Sequence, residues 1–144
     1  MEIAAGIVIL VVSLPCWVGQ AISFLSPSTG ERWRLTERAE AVDPTYYGDI
    51  RGEALWDTFT LWTMPLAGLL LVLGNDAWPF VGLVAGGMYL YFGGRGVATR
   101  RAITKRGGSV GAVKDLRIAY VALIVWGALG LATIVGSAAV LVGS

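Results

Sequence analysis

The sequence has no histidine and one cysteine, and charged side chains are scarce. Without histidine there is no His-ligated haem, no His-ligated zinc and no Ser-His or Cys-His nucleophile pair. Cys16 alone makes neither an intrachain disulfide nor a multi-cysteine metal site. There is no P-loop, CxxC, zinc-protease helix or nucleophile elbow. Gly93-Gly94-Arg95-Gly96 is too short to cradle a phosphate, and no carboxylate cluster lies within the apolar runs. These absences argue against an enzyme and against a resident cofactor. Charged residues make up 15% of the chain, where a soluble domain carries about 25%. The net charge is +1, which gives no bias toward nucleic acid.

What is present is apolar, with a mean hydropathy of +0.68. Four uncharged runs stand out: Ile3 to Leu25, Thr58 to Gly74, Ala77 to Gly94 and Ile118 to Ser144. A helix needs roughly 20 apolar residues to cross a hydrocarbon core of about 30 Å. The first and last runs meet that length, and the middle two sit at its lower limit. Backbone groups in lipid must pair within their own segment, so helices are expected. The reading is an all-α polytopic membrane protein, a bundle of four transmembrane helices at about 3–25, 58–74, 77–94 and 118–144. The first run is expected to stay as a membrane helix, because Met1-Glu2 is acidic and the apolar stretch is long for a signal peptide.

All eleven basic residues fall in two loops, 26–57 and 95–117, and the opposite side carries only Glu2 and Asp76 as charged side chains. Lys and Arg are retained on the cytoplasmic side of a cell membrane. Both loops are therefore expected in the cytoplasm and both termini outside. A re-entrant hairpin of the two middle runs leaves the same charge pattern. Full crossing is preferred, because re-entrant backbone needs a protein or water lining.

The first loop sets seven acids against four arginines, and the second sets one acid against seven basic residues. Ser28-Thr29-Gly30-Glu31 has the form of a capping box, predicting a short interfacial helix over 31–41 that Asp43-Pro44 ends. Tyr46, Tyr47 and Trp56 are expected to ride the interface, and Tyr89, Tyr91 and Phe92 to anchor the third span.

Asp57 and Asp115 are the acids nearest the spans. Helix capping is the preferred role for each, since an acid offsets the positive end of the dipole. Asp57 is the better candidate for a proton or cation site, with Glu53 one turn before it. Gln20 is the most polar side chain of the first run, five residues after Pro15, and an interhelical hydrogen bond is its expected role. Gln20, Glu53 and Asp57 form the candidate polar or transport site. Gly82 and Gly86, with Ala128, Ala132 and Gly136, are expected to carry helix packing. Trp17, Trp62 and Trp126 pack the core or line a site for an apolar ligand. Arg95, Arg100, Arg101, Lys105 and Arg106 offer contacts to anionic lipid or a partner protein, about 1 kcal/mol for each basic group at the surface. Gly107, Gly108 and Gly111 are expected to make that loop flexible.

The resulting expectation is a non-enzymatic scaffold or accessory subunit that packs through small-residue faces, either as a homo-oligomer or against a membrane-protein partner. The alternatives are a small homo-oligomeric transporter or channel and a binder of lipid or an apolar cofactor.

Overall fold

The computed structural model describes residues 2–143. Its elements are α1 (Glu2–Leu25), α2 (Pro27–Arg32), a single 3-10 turn at Ala39–Ala41, α3 (Pro44–Thr60), α4 (Thr63–Val72), α5 (Trp78–Lys105) and α6 (Val113–Gly143). Among the described residues there is no strand, only an isolated antiparallel bridge between Val42 and Val110. Ser144, which the sequence assigns to the last helix, lies outside them.

Among the described residues three helices, not four, are long and apolar enough to cross a membrane: Glu2–Leu25, Pro44–Val72 (α3 and α4 together) and Val113–Gly143. The expected third span falls short because α5 mixes glycines, tyrosines and arginines into its apolar residues, even though it extends to Lys105. The second span starts much earlier than the expected 58. Asp43 does not terminate a helix. It caps α3, its carboxylate accepting from the Thr45 N–H at 2.8 Å, and Pro44 fills the first position, where its missing N–H costs nothing. The helix breaks at Leu61-Trp62, four residues before Pro65, whose ring clashes with the carbonyl of Leu61.

The expected interfacial helix over 31–41 does not form. The short α2 starts after Ser26 instead, with Pro27 in its first turn and no side-chain cap bond. The Ser26 hydroxyl donates to Thr29 Oγ1 at 2.8 Å.

Two helix ends carry glycine caps. After α4, Gly74 has φ +63° and the Asn75 N–H donates to the Leu70 carbonyl at 2.9 Å. After α5, Gly107 has φ +84° and the Gly108 N–H donates to the Ile103 carbonyl at 3.1 Å. Both are six-to-one closures that need a left-handed residue. Gly107 and Gly108 thus build a defined turn, not the loose segment expected.

In the bundle α1 packs on α3 and α4, α4 on α5, and α5 along the length of α6, whereas α6 barely meets α1. Outward faces carry Val11, Phe59, Leu73, Phe80, Ile124 and Val135, each more than half exposed. The main core runs through Cys16, Leu61, Met64, Ala85, Tyr89 and Phe92. Tyr89 and Phe92 are therefore core residues, and only Tyr91 of the expected aromatic anchors on α5 faces outward.

The α5–α6 seam uses Gly82, Gly86 and Gly93. A methyl added at Gly86 would lie 2.7 Å from the Gly130 carbonyl oxygen, and one at Gly82 would fall on the Ser137 hydroxyl. On α6 the inward residues are Leu123, Gly130, Thr133 and Ser137. Ala128 and Ala132 face outward, and Gly136 has open space where a Cβ would stand. Within the molecule the close helix approach is made at Gly82 and Gly86, and that stripe takes no part in it.

The two loops dock on each other at one end of the bundle. Val42, Tyr46, Ile50 and Val110 form a second small core there. The Asp43 N–H donates to the Ser109 carbonyl at 2.8 Å, and the Ser109 hydroxyl donates to the Ala41 carbonyl at 2.9 Å.

Candidate functional site

Because α3 begins at Pro44, Asp49, Glu53 and Asp57 recur every four residues and share one helical face. They line a cleft of about 360 Å³ beside α5, together with Trp56, Tyr91, Phe92 and Arg95. The Arg95 guanidinium reaches both outer acids, 2.6 Å to Glu53 and 2.5 Å to Asp49. Arg95 is 28% exposed and Glu53 12%, so this fork is only partly solvated.

Asp57 is the innermost of the three. It is 6% exposed, and its Oδ2 has no hydrogen-bond partner. Its position is the last turn of α3, so it caps no helix start. The capping role expected for it is overturned by the thirteen residues of helix that precede it from Pro44. An unpartnered buried carboxylate oxygen carries a desolvation cost that only a ligand, a proton or water relieves. Asp115 does lie in the first turn of α6, where it also pairs with Arg34 at 3.2 Å.

Beyond Asp57 the interior continues polar. The buried Tyr89 hydroxyl donates to the Ser13 carbonyl at 3.1 Å, the Ser13 hydroxyl has no partner, and Cys16 is 2% exposed. Further along, the Thr133 hydroxyl donates to the Leu129 carbonyl at 2.8 Å and sits 3.7 Å from the Met64 sulfur. No group of three or more His, Cys, Asp or Glu side chains has metal-holding geometry among the described residues.

A second, larger cavity of about 750 Å³ opens between α1 and α6 below the loops. Gln20 lines it, half-buried, and makes no interhelical hydrogen bond among the described residues. Glu53 and Phe92 line both cavities. Of the three residues expected to form one polar site, Glu53 and Asp57 line the cleft together, and Gln20 shares only the second cavity with Glu53.

The three deep tryptophans do not converge. Each indole N–H donates to a backbone carbonyl: Trp17 to Thr58, Trp62 to Phe59 and Trp126 to Val12. Of the three, Trp126 lines the larger of these two cavities and the other two line neither. Of the basic cluster, Arg95 is taken by Asp49 and Glu53, and Arg100 by Glu37 at 3.4 Å, with its guanidinium 5.6 Å from the Tyr46 ring centre. Tyr46 is fully buried, whereas Trp56 is exposed as an interfacial residue would be. Arg101, Lys105 and Arg106 are exposed and form no ion pair among the described residues.

Sequence reasoning missed Asp49 and Arg95 as members of the site, and the buried hydrogen bond from Tyr89 to Ser13 in the bundle core. The four-residue spacing of the acids was the available signal, readable only once Asp43-Pro44 is taken as a helix start. No family model matches the chain, nor does any curated protein or solved structure.

Proposed function

We propose that the protein is a small membrane carrier with both loops cytoplasmic, that α5, though less apolar than the three long spans, makes a fourth crossing beside α6, and that an organic cation is taken onto Asp57. The outward apolar faces and the three long apolar helices support insertion, and α5 lies along α6 over a comparable length. The loop charges support the orientation.

The carrying observation is the buried Asp57 carboxylate at the inner end of the cleft, whose Oδ2 has no hydrogen-bond partner. An ionisable group at such depth marks a pathway or relay far more often than it serves packing. Three carboxylates face one guanidinium in the cleft, so it retains negative charge after Arg95 is paired. Its walls include Trp56, Tyr91 and Phe92. An aromatic face beside a carboxylate favours a soft, weakly hydrated cation over a compact hydrated one. Four helices enclose little space, so the carrier works as a homo-oligomer.

Liposomes containing the wild type should move tetraphenylphosphonium when a proton gradient is imposed. Asp57→Asn, nearly isosteric, should lower that flux at least tenfold while the helical circular dichroism stays unchanged. Equal flux in the two proteins removes Asp57 from the mechanism, and no flux in the wild type removes the carrier reading.

The outward stripe of Ala128, Ala132 and Gly136 favours a second reading, a scaffold or accessory subunit, because small residues let a neighbouring helix approach closely. Native mass spectrometry from mild detergent tests it. A monomer that carries no second copy and no other protein counts against both readings.

A further inference from the structure

We infer that the 750 Å³ cavity between α1 and α6 is a binding site for one phosphate-bearing membrane lipid, with the phosphate under the loops and an acyl chain lying between the two helices. This goes beyond the carrier reading. It requires α1 and α6 to lie in the bilayer but makes no use of Asp57.

The shape follows from the packing. α1 and α6 are the neighbours in the bundle that scarcely touch. Below the cavity they are tied by the Trp126 indole, which donates to the Val12 carbonyl at 3.1 Å. Above that strut the facing residues are small: Gly19 on α1, with Ala119 and Ala122 on α6. Their missing side chains are the hollow. From Asp115 to Trp126 the lining stripe runs along α6 for about 16 Å at 1.5 Å per residue. The volume falls in the roughly 300–1,000 Å³ range of small-molecule sites.

The chemistry is zoned along that length. The end nearer the strut is walled by Pro15, Leu123 and Trp126, and the charged lining lies at the loop end. Of the acids there, Glu31 accepts from the Tyr47 hydroxyl, Glu37 is engaged by Arg100 and Tyr46, Asp115 by Arg34, and Glu53 by Arg95. The donors are not used up. Arg32 and Arg38 form no ion pair among the described residues, and the buried Arg100 Nε–H has no acceptor. The lining sets four arginines against four acids, so its charge is balanced, and the guanidinium N–H groups left without a carboxylate above an apolar slot match a phosphate head group above a hydrocarbon chain. A site between helices that barely touch admits such a molecule sideways from the bilayer.

The test is native mass spectrometry of the full chain, titrated separately with dioleoyl phosphatidylglycerol, dioleoyl phosphatidylcholine and inorganic phosphate. Wild type should hold one phospholipid per chain. Ala119→Leu/Ala122→Leu, which fills the slot without touching a charge, should weaken retention at least tenfold. Arg32→Gln/Arg38→Gln should weaken it about threefold or more. In parallel, phosphatidylglycerol with brominated chains should quench the Trp126 component of the emission, and Trp126→Phe should remove that quenching. Asp57→Asn should bind lipid like the wild type, so a failed carrier leaves this result standing.

Equal lipid retention by wild type and the slot-filled variant overturns the inference. Phosphate binding that is as tight as lipid binding and indifferent to slot filling also overturns it, since that describes an anion site without a chain. Unchanged quenching in Trp126→Phe places the lipid elsewhere and has the same effect.

Discussion

Gly130→Ala tests whether α5 and α6 are held by backbone contact through glycine. A methyl at Gly130 would lie 2.7 Å from the Gly86 carbonyl oxygen, 2.7 Å from the Leu90 nitrogen and 3.1 Å from Tyr89 Cβ. Favourable contact needs about 3.5–4.0 Å. Two of the three neighbours are main-chain atoms in mid-helix and have no rotamer to escape into. The helices must therefore part by close to an ångström at this crossing. Overpacking of this kind costs about 1–3 kcal/mol. The gain in helix propensity from glycine to alanine offsets about 1 kcal/mol of that. A net loss of up to about 2 kcal/mol is expected. Gly87 is the control: it lies beside Gly86 but points away, and a Cβ there meets nothing within 4 Å. Gly87→Ala should stabilise by about 0.5–1 kcal/mol through chain entropy alone. A third variant sharpens the comparison. A methyl at Gly86 would lie 2.7 Å from the Gly130 carbonyl oxygen and 2.6 Å from Ile134 Cγ1, so both single substitutions wedge open the same crossing. Once it is open the second methyl has room, and Gly86→Ala/Gly130→Ala should cost less than the sum of the singles. Equilibrium unfolding in mixed micelles, followed by tryptophan emission, measures all four proteins. If Gly130→Ala is as stable as Gly87→Ala, or if the double variant is additive, the seam is not built on this contact.

Two further outcomes follow from the loop end. Arg95→Gln strips the shared counter-charge from Asp49 and Glu53; breaking a buried pair costs about 3–5 kcal/mol and an exposed one near zero, so about 2 kcal/mol is expected for this part-solvated fork, and a denaturant midpoint unchanged from wild type would show that the fork is not structural. Ser109→Cys in a Cys16→Ser background should resist a membrane-impermeant maleimide in intact cells and react after permeabilisation; labelling of intact cells reverses the orientation.

The apolar runs made the helices legible, because water-free backbone leaves little alternative to a helix and charge marks where lipid ends. What stayed hidden hinges on Asp43-Pro44. A residue before proline avoids the helical region, and that preference closes one helix as readily as it opens the next. Asp43 has φ −58° and ψ 134°, which satisfies either. The choice is tertiary: Tyr46, Ile50 and Ala54 bury one face of α3, and Val110 from the other loop packs on the first two. With the start displaced, the acids of α3 read as loop charges, and Asp57 read as a cap. The same limit affects α6, where Ala128-Ala132-Gly136 and Gly130-Ser137 are both small-residue faces. Only the position of Gly86 and Gly82 on α5 decides which turns inward.

The basic residues show how one physical property serves two ends. Their clustering in the loops is the basis of the expected sidedness, yet much of that charge is spent within the molecule. Arg34, Arg95 and Arg100 pair with carboxylates distant in sequence, and Arg51 donates to the Ser23 and Phe24 carbonyls at the end of α1. A helix C-terminus presents unpaired carbonyls and a negative dipole end, so a guanidinium there closes what the helix leaves open. Arg95 and Arg100 sit five residues apart on α5, one serving the acidic cleft and the other the groove beside α6, with Glu53 and Phe92 as the common wall. α5 is less apolar than α4 and α6 in part because it carries the guanidinium groups that pair with carboxylates at both cavities. The feature that drops it below the hydropathy of a simple span is therefore the one that ties the two loops to the bundle.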